Sequence, residues 1–249
     1  MIIKSKTFKH FPTVDFFLKH PLHSHDSHFS KPLVFSVSFY EDGQLKLFKI
    51  KNSLSSQGKK TDNDLKKYFN KKIRSRLAIL EKILNGYFFK GNLKNLEEVH
   101  DWLDFSNFTA TPLQKQVWHT MLYDRQFSAG NIVSYEDLTK ISVRNFSGNF
   151  VGSLKNKSHN KSHKSRFLEK SDGLYKKGLP IRAVASAVAK NPFFLLVPCH
   201  RIVPKHSIEK SKKFKGLPAV KIIEAMDVGQ YGSGALLKKE LLLHEAKIA

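Results

Sequence analysis

The stretch Asn191-Pro192-Phe193-Phe194-Leu195-Leu196-Val197-Pro198-Cys199-His200-Arg201-Ile202-Val203 constrains the fold more than any other part of the chain. Proline disfavours helical geometry in the residue before it, so Asn191-Pro192 ends whatever helix precedes. The apolar run that follows has the length of a buried strand, and Pro198 stops it. Cys199, the single cysteine, is therefore expected at the mouth of a core strand with an imidazole and a guanidinium beside it. A lone cysteine is ordinarily an inert buried thiol. A neighbouring cation or base changes that reading, because it favours the thiolate, the nucleophilic form. In an extended segment adjacent side chains point to opposite faces, so His200 reaches the sulfur only through a tight turn or a bridging water.

The remainder must supply a core and a partner. At 249 residues, with 41% apolar residues and 20 Phe, the chain holds one large domain or two small ones. Lys and Arg number 43 against 21 acidic residues, a formal charge of +22, which points to a polyanion, with nucleic acid foremost. A single cysteine excludes an intrachain disulfide and a cysteine-cluster zinc site, and it fits a reducing compartment. Met1-Ile2-Ile3-Lys4-Ser5-Lys6 is too charged for a secretory leader, and no apolar run spans a bilayer. The expectation is a globular protein without a membrane partner, cytoplasmic in a bacterium or nuclear in a eukaryote.

Residues 1–104 read as a mixed α/β unit. His20, His23, His25 and His28 lie between Pro21 and Pro32, and without fixed carboxylates or cysteines they read as a surface loop rather than a metal site. Leu33 to Tyr40 alternates as a strand, Asp42-Gly43 signals a hairpin turn, and Gln44 to Ile50 returns as its partner. Asp64 to Lys72 and Ile73 to Leu84 read as amphipathic helices, the second ending at Asn85-Gly86.

Signals sharpen from Phe105. Thr111-Pro112-Leu113-Gln114 is a capping box with proline at the first helical position, opening a helix to about Tyr123 with Val117 and Met121 on its buried face. Ser134 and Asp137 repeat the device for a helix from Tyr135 to about Lys140. A third helix begins near Ile181, and Arg182 to Lys190 is nearly all alanine, valine and serine, which lets a backbone approach a partner closely. Short helices in so basic a chain suggest a helix-turn-helix. Between them, Ser142 to Gly178 is a polar tract without period, read as disordered. A last helix opens near Ser233, with Leu237, Leu241 and Glu245 on one face.

Pro198-Cys199-His200-Arg201-Ile202-Val203 after Asn191-Pro192 and an apolar run resembles the active-site segment of the methylated-DNA protein-cysteine methyltransferases, which repair O6-alkylguanine. Ile132-Val133-Ser134-Tyr135, Arg182 to Val188, and Gly229-Gln230-Tyr231 leading to Lys238 and Leu241-Leu242-Leu243-His244-Glu245 agree in order, so the resemblance spans most of 111–249. It implies an α+β fold: an N-terminal ribonuclease-H-like mixed α/β domain (1–104), then a helical, winged-helix-like helix-turn-helix DNA-binding domain (105–249) with inserted loops at about 142–178 and 204–228. The first insertion is roughly thirty residues longer than the family's loop, beyond ordinary connections. The second is lysine-rich around Lys210 to Lys215, and both read as padding before any dedicated role.

The resemblance also implies single-turnover transfer of the alkyl group from O6-alkylguanine, and from O4-alkylthymine, in double-stranded DNA to Cys199, by a monomer without cofactor. His200, fixed by Glu245, would take the thiol proton through a water. Tyr135 would serve the leaving base. Arg182, with Ala183, Ser186 and Ala187 beside it, would enter the minor groove and fill the space of the extruded base. Asn191, Pro198, Arg201, Ile202, Tyr231 and Lys238 would support the site. Some relatives hold a structural zinc through cysteines that this chain lacks, so no metal is carried over. Gly232-Ser233 reverses the order seen in many relatives, and the loop's hydrogen bond to the base does not transfer with it. Two other readings stay open: a DNA-binding relative that recognises alkylguanine without accepting the group, against which Cys199 argues, and a cysteine hydrolase using Cys, His and Glu, which would need an oxyanion hole.

Overall fold

The computed structural model describes residues 4–8, 11–18, 33–51, 70–92, 94–103, 105, 108–155 and 179–248, with backbone alone at 4–18, 33–34, 51, 94–95, 97 and 146–155. The histidine patch and 156–178 lie outside the described residues. Strands β1 (Lys4–Phe8), β2 (Phe11–Leu18), β3 (Leu33–Phe39) and β4 (Leu45–Lys51) form a sheet in that order, each antiparallel to the next. The expected hairpin is β3–β4. Asp42 Oδ1 accepts from the Gln44 amide at 2.8 Å, and Gly43 takes φ 85°, which a side chain would resist. Phe35, Val37 and Phe39 alternate into the core, and Phe35 stacks on Phe48 at 5.3 Å.

Helix α1 (Lys71–Lys90) is capped by Asn70, whose side chain accepts from the Ile73 amide at 2.9 Å. It corrects the expected break at Asn85-Gly86, and of the helix expected over 64–72, Lys71 and Lys72 belong to α1 while 64–69 lie outside the described residues. Gly86 is buried within the helix, and Tyr87 and Phe88 continue the apolar face, so packing outweighs the weak local propensity. The stop is Gly91, at φ 64°, where a Cβ would meet Ile248 Cγ2 at 2.7 Å. A 3-10 segment (Lys94–Trp102) follows.

Helix α2 (Pro112–Tyr123) opens on the expected capping box: Thr111 Oγ1 accepts from the Gln114 amide at 3.3 Å and Gln114 Oε1 from the Thr111 amide at 2.9 Å. Val117 and Met121 are buried as expected. Strand β5 (Val133–Ser134) leads into α3 (Tyr135–Lys155), capped by Ser134 Oγ, which accepts from the Asp137 amide at 3.0 Å. The expected end at Lys140 is corrected. Leu138, Ile141 and Ser142 carry the buried face past it, and no proline interrupts the turns that follow. Helix α4 (Ile181–Ala189) packs on both α2 and α3, so the three form one helical unit where the sequence suggested a helix-turn-helix.

The run Phe193 to Val197 is not the expected strand. It makes one parallel bridge, Phe48 to Phe193, with Phe48 N donating to Pro192 O at 2.9 Å and Phe194 N to Phe48 O at 2.7 Å. Beyond that, Asn191 Nδ2 donates to Phe193 O and Val197 O and gathers the segment into a loop, which Val197 N closes onto Phe193 O at 3.0 Å. Leu195 turns the loop at φ 66°, a conformation that disfavours a branched side chain, yet it is fully buried. Burial without a ladder accounts for the apolar run.

A 3-10 turn (Cys199–Arg201) then feeds β6 (Ile202–Val203), parallel to β5. Helices α5 (Lys205–Ser211), α6 (Ala219–Ala225) and α7 (Ala235–Ile248) complete the chain. The fold is mixed α+β. One core cluster runs from Phe35 of β3 through Tyr87 and Trp118 to Leu241 of α7, so the two halves share a hydrophobic interior.

Candidate active site

The loop between α4 and β6 brings Cys199 to the residues that surround it. Pro198 ends the loop, and Cys199 N donates to Val197 O at 2.7 Å, so the thiol sits at the first residue of a tight turn. Asn191, just past the end of α4, donates from Nδ2 to Cys199 Sγ at 3.0 Å while its Oδ1 accepts from the Phe193 amide at 2.9 Å. One amide thus shapes the loop and touches the sulfur. The Tyr231 hydroxyl lies 3.4 Å from Sγ. Cys199 is 5% exposed, and burial pushes its thiol up, against hydrogen bonds from Tyr231 and Asn191 and the charge of Lys238, which favour the thiolate.

Lys238 reaches this cluster from α7. Its Nζ donates to Ile202 O, and it stands 5.8 Å from the ring centroids of both Tyr135 and Tyr231. Burial lowers its pKa from 10.5 to about 8, with Cys199 opposing the shift. The β5–β6 pair places Tyr135, the residue after Ser134, beside the same ammonium. Burial raises the phenols of Tyr135 and, much further, of Tyr231, and the Cys199 charge adds to both, so the two are proton-bearing hydroxyls at neutral pH.

Glu245 is the hub of a second, wholly buried cluster. Its Oε1 meets His200 Nε2 at 2.9 Å, Arg201 Nη2 at 2.6 Å and the Tyr87 hydroxyl at 2.9 Å, and its Oε2 accepts from Arg201 Nε at 2.8 Å and the Gly130 amide at 3.5 Å. Arg201 also donates to Phe127 O. Burial alone would raise the carboxyl, but His200 and Arg201 hold it well below the usual range. Burial lowers His200 more than Glu245 raises it. Its imidazole is therefore neutral, Arg201 is the permanent counter-ion, and the fork geometry is what makes so buried a carboxylate tolerable. With Nε2–H committed to Glu245, His200 Nδ1 is an acceptor, and it is buried without a hydrogen-bond partner among the described residues.

Sequence reasoning brought Cys199, Asn191, Tyr231, Lys238, Tyr135, His200, Arg201 and Glu245 to one region, and the structure groups them so. His200 and Cys199, although adjacent, make no direct hydrogen bond, as the geometry of neighbouring side chains led one to expect. Ile202 contributes its carbonyl to Lys238. On α4, Arg182 and Ser186 are exposed and Ala183 is half-buried. Ala187 does not share that face: it is 1% exposed, and its carbonyl accepts from Trp118 Nε1 at 2.8 Å, so it anchors α4 to α2 instead of offering a surface. Tyr87 was missed. It lies in the N-terminal half, and nothing in its own neighbourhood signals a contact with Glu245. A cleft of about 1080 Å³ borders the Glu245 cluster, lined by Leu195, Leu196, Pro198, Arg201, Met121 and Phe127 without Cys199, Tyr135 or Tyr231. Among the described residues no three His, Cys, Asp or Glu side chains converge as metal ligands. No helix among them is long and apolar enough to cross a membrane.

Residues 175–247, which contain the whole cysteine loop, match the family model of the 6-O-methylguanine DNA methyltransferase DNA-binding domain. That segment is similar to the family's DNA-binding domain. The solved structures similar to the chain include the O6-methylguanine-DNA methyltransferase of the hyperthermophilic archaeon Pyrococcus kodakaraensis strain KOD1, at 19% identity over 93% of this chain and 98% of that one, with a TM-score of 0.43. The Mycobacterium tuberculosis O6-methylguanine methyltransferase is similar at 17% identity over 94% and 92%, also with a TM-score of 0.43. No curated protein sequence matches the chain. Within the matched segment lie α4, the cysteine loop, β6 and most of α7, so both polar clusters draw most of their residues from it.

Proposed function

We propose that the protein repairs alkylated guanine in double-stranded DNA by accepting the alkyl group on Cys199, once per molecule. The observation that carries this reading is a buried sulfur held by Asn191 and Tyr231 beside Lys238, inside a segment of the methyltransferase DNA-binding family. A saturated carbon on O6 calls for a soft nucleophile. The thiolate forms the S–C bond as the C–O6 bond breaks, and the electron pair remains on guanine O6. The Tyr135 hydroxyl donates its proton toward that oxygen, and Lys238 favours both anions.

His200 Nδ1 takes the thiol proton through a water, and Glu245 fixes the tautomer that makes Nδ1 the acceptor. Arg182, exposed on the first turn of α4, fills the stack when the target base rotates out through the minor groove, with Ala183 and Ser186 along the same approach. In this division of labour 1–104 supports the site and 105–249 carries the chemistry. The thioether has no route back to thiol, so a monomer is consumed by one event. Mass spectrometry of the Cys199 peptide after mixing with an O6-methylguanine duplex tests the reading. The peptide should gain one CH2 in proportion to lesion lost, and an unmodified peptide overturns the assignment.

A further inference from the structure

The chain between β6 and the Gly229-Gln230-Tyr231 loop, which reads as padding in the sequence, folds as a unit with its own interior. Ile223, Met226 and Val228 join Val203 and Leu242 in a second buried cluster, with Ile208 and Ile222 packed against it. The unit is fastened to the helix of Tyr135 at its start, and its two ends are tied to each other. Lys205 Nζ pairs with Glu136, the neighbour of Tyr135, at 2.7 Å, and His206 Nε2 meets Asp227 at 3.2 Å. Gly229 takes φ 71° against Pro204, whose Cγ would stand 2.9 Å from a Cβ there, so the loop that delivers Tyr231 is stacked on the root of α5.

What that interior leaves outside is strongly basic. Lys210, Lys212, Lys213 and Lys215 are exposed, and between and beyond them Phe214 and Leu217 are 39% and 50% exposed. Among the described residues no carboxylate lies within ion-pair distance of Lys212, Lys213 or Lys215. A folded unit that buries Ile223, Met226 and Val228 and turns four lysines and two apolar side chains to solvent is built to meet something anionic.

We propose that Lys210, Lys212, Lys213 and Lys215 grip the phosphates of the duplex flanking the cysteine site, with Phe214 and Leu217 against the adjoining sugars. The proposal rests on the DNA-repair reading above. The seven residues of α5 rise about 10 Å, roughly three base-pair steps, so lysines at its far end are within reach of a duplex seated over Cys199. Lysine suits this task because a point charge holds phosphate without reading sequence. An anionic lipid surface would also attract lysines set among apolar side chains. The whole unit, from Pro204 to Gly229, lies inside 175–247, the segment similar to a DNA-binding domain, and that favours DNA.

The test compares the full chain with the variant carrying Lys210→Gln, Lys212→Gln, Lys213→Gln and Lys215→Gln, all exposed positions, using a duplex with and without O6-methylguanine over a range of salt. The slope of log affinity against log salt should fall by about 2 to 4 for either duplex, at about 0.9 per phosphate released. An unchanged slope overturns the proposal, as does a variant that loses binding to phosphatidylserine vesicles while keeping the wild-type slope on DNA. Failure of the wild-type protein to take the benzyl group from free O6-benzylguanine would remove the alkyl-transfer reading instead, and the two slopes would still decide the surface.

Discussion

The Tyr87 hydroxyl donates to Glu245 Oε1 at 2.9 Å, tying the penultimate turn of α1 to the last turns of α7 across 158 positions of sequence. The same oxygen faces His200 and Arg201, so a residue of the N-terminal half orients the carboxylate that orients the imidazole. Tyr87→Phe removes one hydrogen bond to a charged acceptor and should cost about 1.5–3 kcal/mol of stability. If the contact also positions His200, alkyl transfer should slow at neutral pH and recover as the pH rises toward the free thiol value. A rate profile superimposable on wild type would reduce Tyr87 to a structural role.

Glu245→Gln is a harsher change, because it leaves the Arg201 guanidinium buried without its counter-ion. A loss of about 3–5 kcal/mol is expected at neutral pH. The carboxyl is held below its unfolded value, so its contribution is fully present above the ordinary carboxylate range and disappears as pH falls through the folded value. Urea melts of the wild type should therefore lose stability on acidification below about pH 4.5, and the variant should lose less. Parallel losses in both would place the acid sensitivity elsewhere.

Lys238 should trade stability for function. A folded pKa of about 8 against 10.5 unfolded means that the folded chain holds this proton more weakly, so stability rises with pH between those values, by about 3 kcal/mol at most. Lys238→Met should raise the melting temperature at pH 7, with the gain shrinking above pH 8, and should slow alkyl transfer. A variant less stable at pH 7 and at pH 10 alike would show that the hydrogen bond to Ile202 outweighs the buried charge.

Cys199→Ala should abolish transfer and leave duplex affinity within about twofold, since the sulfur carries none of the charge that dominates DNA binding. His200→Ala should only slow transfer, with partial recovery as the pH rises past the ordinary thiol range, since burial pushes the Cys199 thiol up. Methyl transfer surviving in Cys199→Ala, or several turnovers per wild-type molecule, would refute the mechanism.

Arg182 stands exposed at the start of α4, followed as far as Ala189 by side chains no larger than valine. Arg182→Ala should slow repair in a duplex far more than reaction with free O6-benzylguanine, because only the duplex requires a base to be extruded. Equal slowing of the two would remove the base-displacing role.

Caps, turns and one-faced helices were written locally. The capping box at Thr111, the Ser134–Asp137 cap, the Asp42-Gly43 hairpin and the shared face of Leu237, Leu241 and Glu245 each depend on residues within one or two turns, so the chain itself determined them. So did the identity of the chemical groups around Cys199. Tertiary structure decided whatever depends on a distant partner. Gly86 stays helical because Tyr87 and Phe88 have a core to enter, and Phe193 to Val197 forgoes a strand because Asn191 and Phe48 take its backbone groups. Ala187 faces Trp118 rather than solvent for the same reason. Arg201, not His200, is the lasting partner of Glu245, because burial from every side keeps the imidazole neutral while a guanidinium stays charged. Local rules fix the direction of a side chain relative to its own helix or turn; what it meets there is fixed only when the rest of the chain has packed around it.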